Sequence, residues 1–382
     1  MVKARLPDEA WVVALSRVPG IGPARLRALL ASDEPASLWR SVCNGSLPHE
    51  LPPGATSRGA GLRLPQALRD QWRSVARTID PEAYWNAHVE AGVGVMLRWS
   101  PSFPEELADD DDAPAILFWL GDIDRLAGTR VAVVGTRRAS RYGIDVANEF
   151  ARELSLAGIS VVSGLALGID GAAHAGALAV EGAPPIAVVG SGLDRVYPRA
   201  HRSLWRAVAE RGVVLSEYPL GSSAVAWQFP ARNRIIAALS DVVVVVESQS
   251  TGGALGTAVE AARRGRTVLA VPGPITAPSS AGTNQLLFDG CGPVRDVDDV
   301  LLALGREPER RRVAAEQRPT PIGKAKEVLE ALPWQAIPME QVLSATGLEL
   351  GLVMLVLEQL ENDGWVSQRS GWIERIGRGG AR

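Results

Sequence analysis

The sequence predicts an α/β protein with a doubly wound, mostly parallel, Rossmann-like sheet, preceded by a helical domain and followed by a winged helix. Between residues 130 and 300, short apolar runs alternate with helix-like segments that end at glycine. The runs are continuously apolar, as in parallel strands that are buried on both faces. Repeated alternation of strand and helix is typical of a doubly wound sheet, and this fold is therefore the one we predict.

Residues 1–90 are predicted to form a helical domain, because apolar residues recur at helical spacing in 11–18 and 25–32. The turn between them, PGIGP (19–23), is similar to that of a helix-hairpin-helix, whose backbone amides can approach a DNA phosphate. A helical hairpin without DNA contact explains the same pattern, so both interpretations stay open. Residues 44–66, rich in Gly, Pro and Ser, are expected to form a loop, and the acidic run 109–112 is expected to be solvated.

Residues 91–304 are predicted to form the Rossmann-like domain. The strand candidates in this range are 131–135, 159–164, 185–190, 213–217, 242–247 and 267–273. The helix-like segments between them include 148–158, 170–182, 202–212 and 256–265, each of which ends at a glycine.

The C-terminal part is predicted to be a linker, residues 305–320, followed by a winged-helix domain, residues 321–376. Three helical stretches precede two short apolar runs that flank Ser370 and Gly371, which is a hairpin signal. A winged helix often binds duplex DNA, yet the expected recognition helix, 350–361, contains no Arg or Lys. Contact with a protein, or service as a lid, is therefore the favoured interpretation of this domain.

Composition limits the classes of function. The formal net charge is −3, which argues against a protein that coats nucleic acid through bulk charge. Lysine occurs only at Lys3, Lys324 and Lys326, so the other 37 of the 40 basic residues are arginine, whose planar fork suits phosphate. The two cysteines lie far apart, and we expect no disulfide and no metal site. The N-terminus lacks a signal peptide and no apolar run reaches the ~18 residues of a membrane span, which predicts a cytoplasmic protein without membrane contact.

Candidate ligand-binding residues follow the predicted strands, since ligands of a doubly wound sheet bind beyond the carboxyl ends of its strands. After the first strand, Gly135 allows close backbone approach, Arg137 offers a guanidinium and Ser140 a hydroxyl, next to a helix N-terminus that favours an anion. After the second, Ser163 and Gly164 offer a hydroxyl and amides to a phosphate.

A second group of candidates opens the helix after the fourth strand. Phe229 provides a ring on which a base can stack, and Arg232, Asn233 and Arg234 provide polar groups. Single-stranded nucleic acid requires this mixture of rings and cations. We expect that Arg232 and Arg234 cannot both be buried cheaply, because burying unpaired guanidinium groups is costly.

Nucleotide cofactors are excluded by their missing motifs. The Gly190-Ser191-Gly192 turn lacks the third glycine of a dinucleotide fingerprint, and Asp194 follows it. No GxxxxGK[ST] motif occurs, and no lysine lies between residues 4 and 323, which excludes a P-loop. We therefore expect no cofactor.

Eight motifs in order resemble those of the DNA-processing protein A family (DprA/Smf) over about residues 95–300. They are GTRRASRYG, SGLALGID, GSGLDRVYP, SEYPLG, FPARNRIIAALS, TGGALGTA, AVPG and GTNQLLFDG. The resemblance implies a Rossmann-like homodimer that binds and protects incoming single-stranded DNA and loads the recombinase RecA during natural transformation. It also implies that the flanks are a sterile-alpha-motif-like domain and a winged helix.

The same resemblance assigns a DNA pocket by position. Its members in this chain are Arg137, Ser163, Gly164, Arg199, Phe229, Arg232 and Asn233. His201 stands where the family usually has Asn, so no contact is assigned to it.

An enzyme on the same fold is the alternative. Residues 252–260 are similar to the PGGxGTxxE motif of nucleoside-monophosphate phosphoribohydrolases, in which the Glu acts on the ribosyl bond. This chain has one extra residue before Gly256-Thr257 and lacks the proline, so Glu260 is displaced. Because a misplacement of about 1 Å can cost on the order of a hundredfold in rate, we expect no catalytic residue and a non-enzymatic protein.

Overall fold

The structure is a computed structural model that describes residues 6–51, 62–307, 318–334, 336–369 and 371–376. The chain divides into two compact units, Met1–Arg306 and Glu307–Arg382, each of which is described by itself.

Nine of the described strands form one mixed sheet in the order β11-β10-β9-β5-β6-β7-β8-β4-β3. All neighbours from β11 to β8 are parallel, whereas β4 and β3 add an antiparallel edge. The six strand candidates correspond to β5–β10, so the predicted doubly wound, mostly parallel sheet is confirmed. The strands of the chain are β1 (Glu50–Leu51), β2 (Leu62–Arg63), β3 (Gly94–Leu97), β4 (Ile116–Gly121), β5 (Arg130–Val134), β6 (Ser160–Ser163), β7 (Ile186–Val189), β8 (Val213–Ser216), β9 (Val242–Val245), β10 (Thr267–Ala270), β11 (Gly292–Pro293), β12 (Ile337–Pro338), β13 (Val366–Arg369) and β14 (Trp372–Arg375).

Helices cover both faces of this sheet. They also form most of the segments that precede and follow it in the chain. Those between the parallel strands start or end close to where the glycine signals predict. The helices are α1 (Asp8–Arg17), α2 (Pro23–Leu30), α3 (Pro35–Asn44), α4 (Gln66–Ala76), α5 (Pro81–Glu90), α6 (Glu105–Ala108), α7 (Arg141–Leu156), α8 (Ile169–Leu178), α9 (Arg202–Arg211), α10 (Gln228–Leu239), α11 (Gly253–Arg263), α12 (Ala281–Phe288), α13 (Val297–Ala303), α14 (Gly323–Ala331), α15 (Met339–Thr346) and α16 (Leu350–Asn362).

The strand order places a topological switch point between β5 and β9. From β5 the chain adds β6, β7 and β8 on one side, and then returns to add β9 and β10 on the other side. The connection after β5 and the connection after β9 run to opposite sides. In a sheet of this kind that arrangement leaves a crevice outside the carboxyl ends of the two strands. The loop after β5 and the loop after β9 therefore meet there, and the Thr136 amide donates to the Glu247 carbonyl oxygen at 2.7 Å.

The N-terminal helices share a core with the sheet. Val12, Leu15 and Trp72 belong to the same buried cluster as Phe118 and Val214. The neutral ring of His88 links the two parts, since its Nδ1 bonds the Tyr84 carbonyl at 2.8 Å and its Nε2 accepts the Leu220 amide at 3.2 Å. Burial lowers the pKa of His88, which favours this neutral state. Residues 1–90 and 91–304 thus pack in one unit, and their division into two domains stays a prediction.

Two expectations about loops need correction. The acidic run 109–112 is not simply solvated, because Asp110 pairs with Arg264 and Asp112 pairs with Arg27. The side chain of Asp110 is only 9% exposed. The segment 44–66 contains the last residue of α3 and the antiparallel pair β1–β2, and its residues 52–61 lie outside the described part of the chain.

The C-terminal unit contains α14, β12, α15, α16, β13 and β14, in that order along the chain. The three strands form an antiparallel sheet in the order β12-β14-β13, and the core includes Val328, Leu357 and Ile373. This is the element order expected of a winged helix, and the assignment stays a prediction. Most of the predicted linker, residues 308–317, lies outside the described residues.

Among the residues that the structure describes, no single helix is both long enough and apolar enough to cross a membrane. The pair α15 and α16 meets the length and composition test when counted together, with a bend of 107° between the two helices.

Candidate functional site

The crevice at the switch point is filled by a side chain of the protein, the carboxylate of Glu247. Its two oxygens accept the Ser140 amide at 2.8 Å and the Ser140 hydroxyl at 2.6 Å, and the Ser279 hydroxyl lies at 3.3 Å. A Cβ at Gly143 would lie 2.4 Å from this carboxylate. Because helix N-termini favour negative charge, Glu247 occupies the position at the start of α7 where an anion is most favoured.

Ser140 and Gly135 both make contacts within the protein. The Ser140 hydroxyl accepts the Gly143 amide at 3.0 Å and caps α7, while donating to Glu247. A Cβ at Gly135 would lie 2.5 Å from Ile169 and 2.8 Å from the Glu247 carbonyl oxygen, so this glycine admits the neighbouring chain. Their geometry supports internal packing for Gly135 and helix capping for Ser140, and contact of either residue with a ligand stays a prediction.

An exposed stack of three side chains lies at the carboxyl edge of the sheet, and we call it the edge stack. The guanidinium of Arg137 lies 4.8 Å from the ring centroid of Phe229, and the Tyr197 ring centroid lies 5.2 Å from it on a tilted plane. Arg137 follows β5, Tyr197 follows β7, and Phe229 lies in the first turn of α10. Arg137 is exposed, Tyr197 is 45% exposed and Phe229 is half-buried, so a cation and two rings face solvent together.

Arg232 lies beneath this edge and is only 5% exposed. Its Nη1 donates to the Val188 carbonyl oxygen at 2.5 Å. A Cβ at Gly164 would lie 1.7 Å from the same nitrogen, so only glycine leaves room for the guanidinium. Burial lowers the pKa of Arg232, and the negative charge of Asp170 opposes this effect.

Arg234 is partly buried, with its side chain 12% exposed. Its Nη2 donates to both carboxylate oxygens of Glu217 at 2.6 Å. Arg232 is thus buried and Arg234 partly buried, and each guanidinium has a bonding partner within the protein. The cost of burial is offset because one guanidinium has a carboxylate partner and the other has a carbonyl partner near a second carboxylate.

The remaining predicted residues differ in their access to solvent. Ser163 is fully buried and donates to the Val133 carbonyl at 2.7 Å, and Asn233 donates to the Gly253 carbonyl at 3.2 Å. Arg199 is exposed in a 3₁₀ turn, Arg199–His201. His201 bonds the Leu165 carbonyl through Nδ1 at 3.0 Å, which places it at a loop contact.

Two further residues near the site were not among the predicted ones. Asp170 lies in the first turn of α8, where its carboxylate accepts the Gly164 amide at 3.1 Å. Burial raises the pKa of Asp170, and the charge of Arg232 opposes this. Tyr197 lies five residues after Gly192, so an aromatic residue soon after a glycine-rich turn at a strand end was a usable signal.

Comparison with known proteins relates the whole sheet to one family. A family model described as DNA recombination-mediator protein A matches residues 94–305. A putative DNA processing protein DprA of Mycobacterium tuberculosis is 36% identical, with 97% of this chain and 95% of that protein covered. Protein Smf of Escherichia coli is 36% identical over 73% of this chain and 76% of its own length.

Solved structures agree with these relatives. The X-ray structure of DNA processing protein A from Streptococcus pneumoniae superposes with a TM-score of 0.61 at 31% identity, covering 78% of this chain and 98% of that chain. A structure of DNA processing protein A from Helicobacter pylori, described as giving insight into a single-stranded DNA binding mode, has a TM-score of 0.50 at 29% identity. It covers 56% of this chain and 95% of that chain.

Proposed function

This chain belongs to the DNA recombination-mediator protein A family, and from that premise we propose that it binds single-stranded DNA at the carboxyl edge of its sheet. The observation that carries the proposal is the edge stack, in which Arg137 lies 4.8 Å from the Phe229 ring and Tyr197 lies beside it. Bases stack on such rings whatever their sequence, and the arginine neutralises phosphate. Binding at this edge is then tolerant of sequence and weakens with salt.

The predicted site residues divide into two groups under this proposal. Arg137, Arg199 and Phe229 reach the surface and contact DNA, together with Tyr197. A second group supports these residues through hydrogen bonds and close contacts with other parts of the protein. Its members are Gly135, Ser140, Ser163, Gly164, Arg232, Asn233 and Arg234.

A comparison of strands tests the proposal. The full chain is titrated against fluorescein-labelled oligo(dT) and against a duplex of matched length, at the same salt concentration. We expect much tighter binding to oligo(dT), because stacked bases inside a duplex cannot reach the rings. Equal affinity for the duplex would refute the single-strand assignment.

We further propose that the chain acts in the cytoplasm as a homodimer that protects incoming DNA and loads RecA during natural transformation. The family description as a recombination mediator supports this role. Light scattering of the purified chain gives its mass in solution, and a monomer at all concentrations would contradict the dimer. RecA filament assembly on oligo(dT) covered by a single-strand-binding protein should be faster with this chain present, and an unchanged rate would contradict loading.

The function proposed is binding without catalysis. Glu260, the counterpart of the phosphoribohydrolase glutamate, bonds the side chains of Arg264 and Arg263 at 2.5 and 3.4 Å. Arg264 also pairs with Asp110, so Glu260 belongs to a structural ion-pair network. Incubation with AMP and assay of free adenine tests the alternative, and clear turnover would favour the enzyme.

A further inference from the structure

Glu247 is the one acidic side chain that bonds the loop carrying Arg137 within the described residues. The loop begins at Thr136, whose amide donates to the Glu247 backbone carbonyl at 2.7 Å. It ends at Ser140, whose amide and hydroxyl both donate to the Glu247 carboxylate. Arg137 and Arg138 lie exposed between these two anchors. Glu247, which follows β9, therefore bonds the loop at both its first and its last residue.

The other side of the loop is supported by the start of α8. The Ile169 amide donates to the Thr136 carbonyl at 3.3 Å. A Cβ at Gly168 would lie 2.3 Å from that carbonyl oxygen and 2.9 Å from the Arg137 carbonyl carbon, so the two backbones are in close contact. With the loop held on both sides, the Arg137 side chain is directed over Phe229.

We infer that Glu247 is a positioning residue for DNA binding: its carboxylate stands where a ligand phosphate sits in nucleotide-binding proteins of this fold, and from there it fixes Arg137 over Phe229. The inference rests on the proposed function. Fixing the loop before DNA arrives removes an ordering cost from binding, which raises affinity without a direct contact.

The site that holds the Glu247 carboxylate can also bind a small anion when that side chain is removed. Removing the Glu247 side chain leaves the Ser140 amide and hydroxyl without their acceptor at the N-terminus of α7. Such a site favours a small anion, because helix N-termini and orphaned donors both attract negative charge. Formate has the size of the missing carboxylate and is the probe that we select.

The experiment measures oligo(dT) affinity of the full chain by fluorescence anisotropy over a range of salt. We expect Glu247→Ala to bind about fivefold more weakly, and its slope of log affinity against log salt to fall by about 0.7, the value of one phosphate contact on a single strand. Glu247→Gln keeps an oxygen acceptor for Ser140 and should lose about twofold or less. Ser279→Ala removes a donor to the same carboxylate outside the Arg137 loop, and as the matched control it should bind within twofold of the wild type.

Two further arms separate positioning from general damage. Sodium formate, compared with chloride at equal ionic strength, should restore the affinity of Glu247→Ala but not that of Arg137→Ala. In the double variant the Glu247→Ala change should add no loss to that of Arg137→Ala, since both remove the same contact. If Glu247→Ala does not fold, Glu247→Asp replaces it, and its loss must likewise vanish in the Arg137→Ala background.

The outcomes are distinct. A folded Glu247→Ala protein with wild-type affinity and salt slope would overturn the inference, and so would losses that add fully in the double variant. If the wild type itself fails to prefer oligo(dT), it is the proposed function that fails.

Discussion

The carboxyl edge of the sheet exposes Arg137, Tyr197 and Arg199, whereas α16 of the C-terminal unit exposes Leu352, Met354 and Leu355. Those three side chains of α16 are 40%, 55% and 64% exposed. Residues 336–368 contain five acidic residues and no lysine or arginine. The sheet edge has the cations and rings that a single strand requires, while α16 has an apolar surface bordered by negative charge.

The difference shows why topology alone is a weak guide to DNA binding. The element order of the C-terminal unit is that expected of a winged helix, in which the third helix commonly enters the major groove. A helix without Arg or Lys lacks the side chains that most strongly attract phosphates, whatever its place in the fold. Side-chain chemistry is the better guide, and on that basis we propose the sheet edge as the binding site. Four predictions test whether the two regions differ in this way.

The largest effect is expected from matched glycine substitutions in the two regions. Gly164→Ala places a Cβ 1.7 Å from the Arg232 guanidinium, which must leave its buried acceptor, at a cost of about 3 kcal/mol in the free energy of unfolding. Gly351→Ala in α16 meets no atom within 4 Å and should stabilise by about 0.5–1 kcal/mol. Urea denaturation followed by tryptophan fluorescence measures both. Equal stability of the two variants would mean that Gly164 does not accommodate Arg232.

Replacing the central ring of the edge stack is expected to have the next largest effect. Phe229→Ala removes the platform on which both Arg137 and a base can lie, at a cost of about 2 kcal/mol of binding, or roughly thirtyfold in oligo(dT) affinity. Trp227→Ala is the control, because Trp227 is an exposed aromatic of the same segment that packs on Tyr218 at 6.0 Å. A loss confined to Trp227→Ala would move the stacking platform away from the edge stack.

Acidification should destabilise the sheet unit and spare the C-terminal unit, which contains no histidine. Burial lowers the pKa of His174 from its usual 6.5 to about 3. The unfolded chain therefore takes up a proton below pH 6.5 that the folded chain does not, and stability present above that pH is lost as the pH falls. The loss is about 1.4 kcal/mol per pH unit between these two values. Denaturation at pH 7 and pH 5.5 measures it, and His174→Gln should flatten the dependence.

The smallest effect on DNA binding is expected at α16. Leu352→Ser and Leu355→Ser change exposed side chains of a helix that contains no Arg or Lys. Oligo(dT) affinity should therefore stay within about twofold. Anisotropy under the conditions used for Phe229→Ala gives the comparison. A loss above fivefold would make α16 part of the DNA-binding surface.

Most of the sheet could be predicted from sequence, because its six central parallel strands are continuous apolar runs. The antiparallel strands β3 and β4 were not predicted, because both lie before residue 130, where the regular alternation of apolar runs and helix-like segments begins. The bonding partners of Arg232 and Arg234 were not predicted either. Their partners, Val188 and Glu217, lie 44 and 17 residues away in sequence, on or beside other strands. Local patterns indicate which elements form, but not which charge meets which acceptor.

The contact between Gly164 and Arg232 has a consequence for redesign. A guanidinium lies where any other residue at position 164 would place its first side-chain carbon. The two positions are therefore coupled, and a side chain cannot be introduced at position 164 while Arg232 is kept. A designer who moves this edge to another scaffold must transfer the glycine, the arginine and the carbonyl of Val188 together.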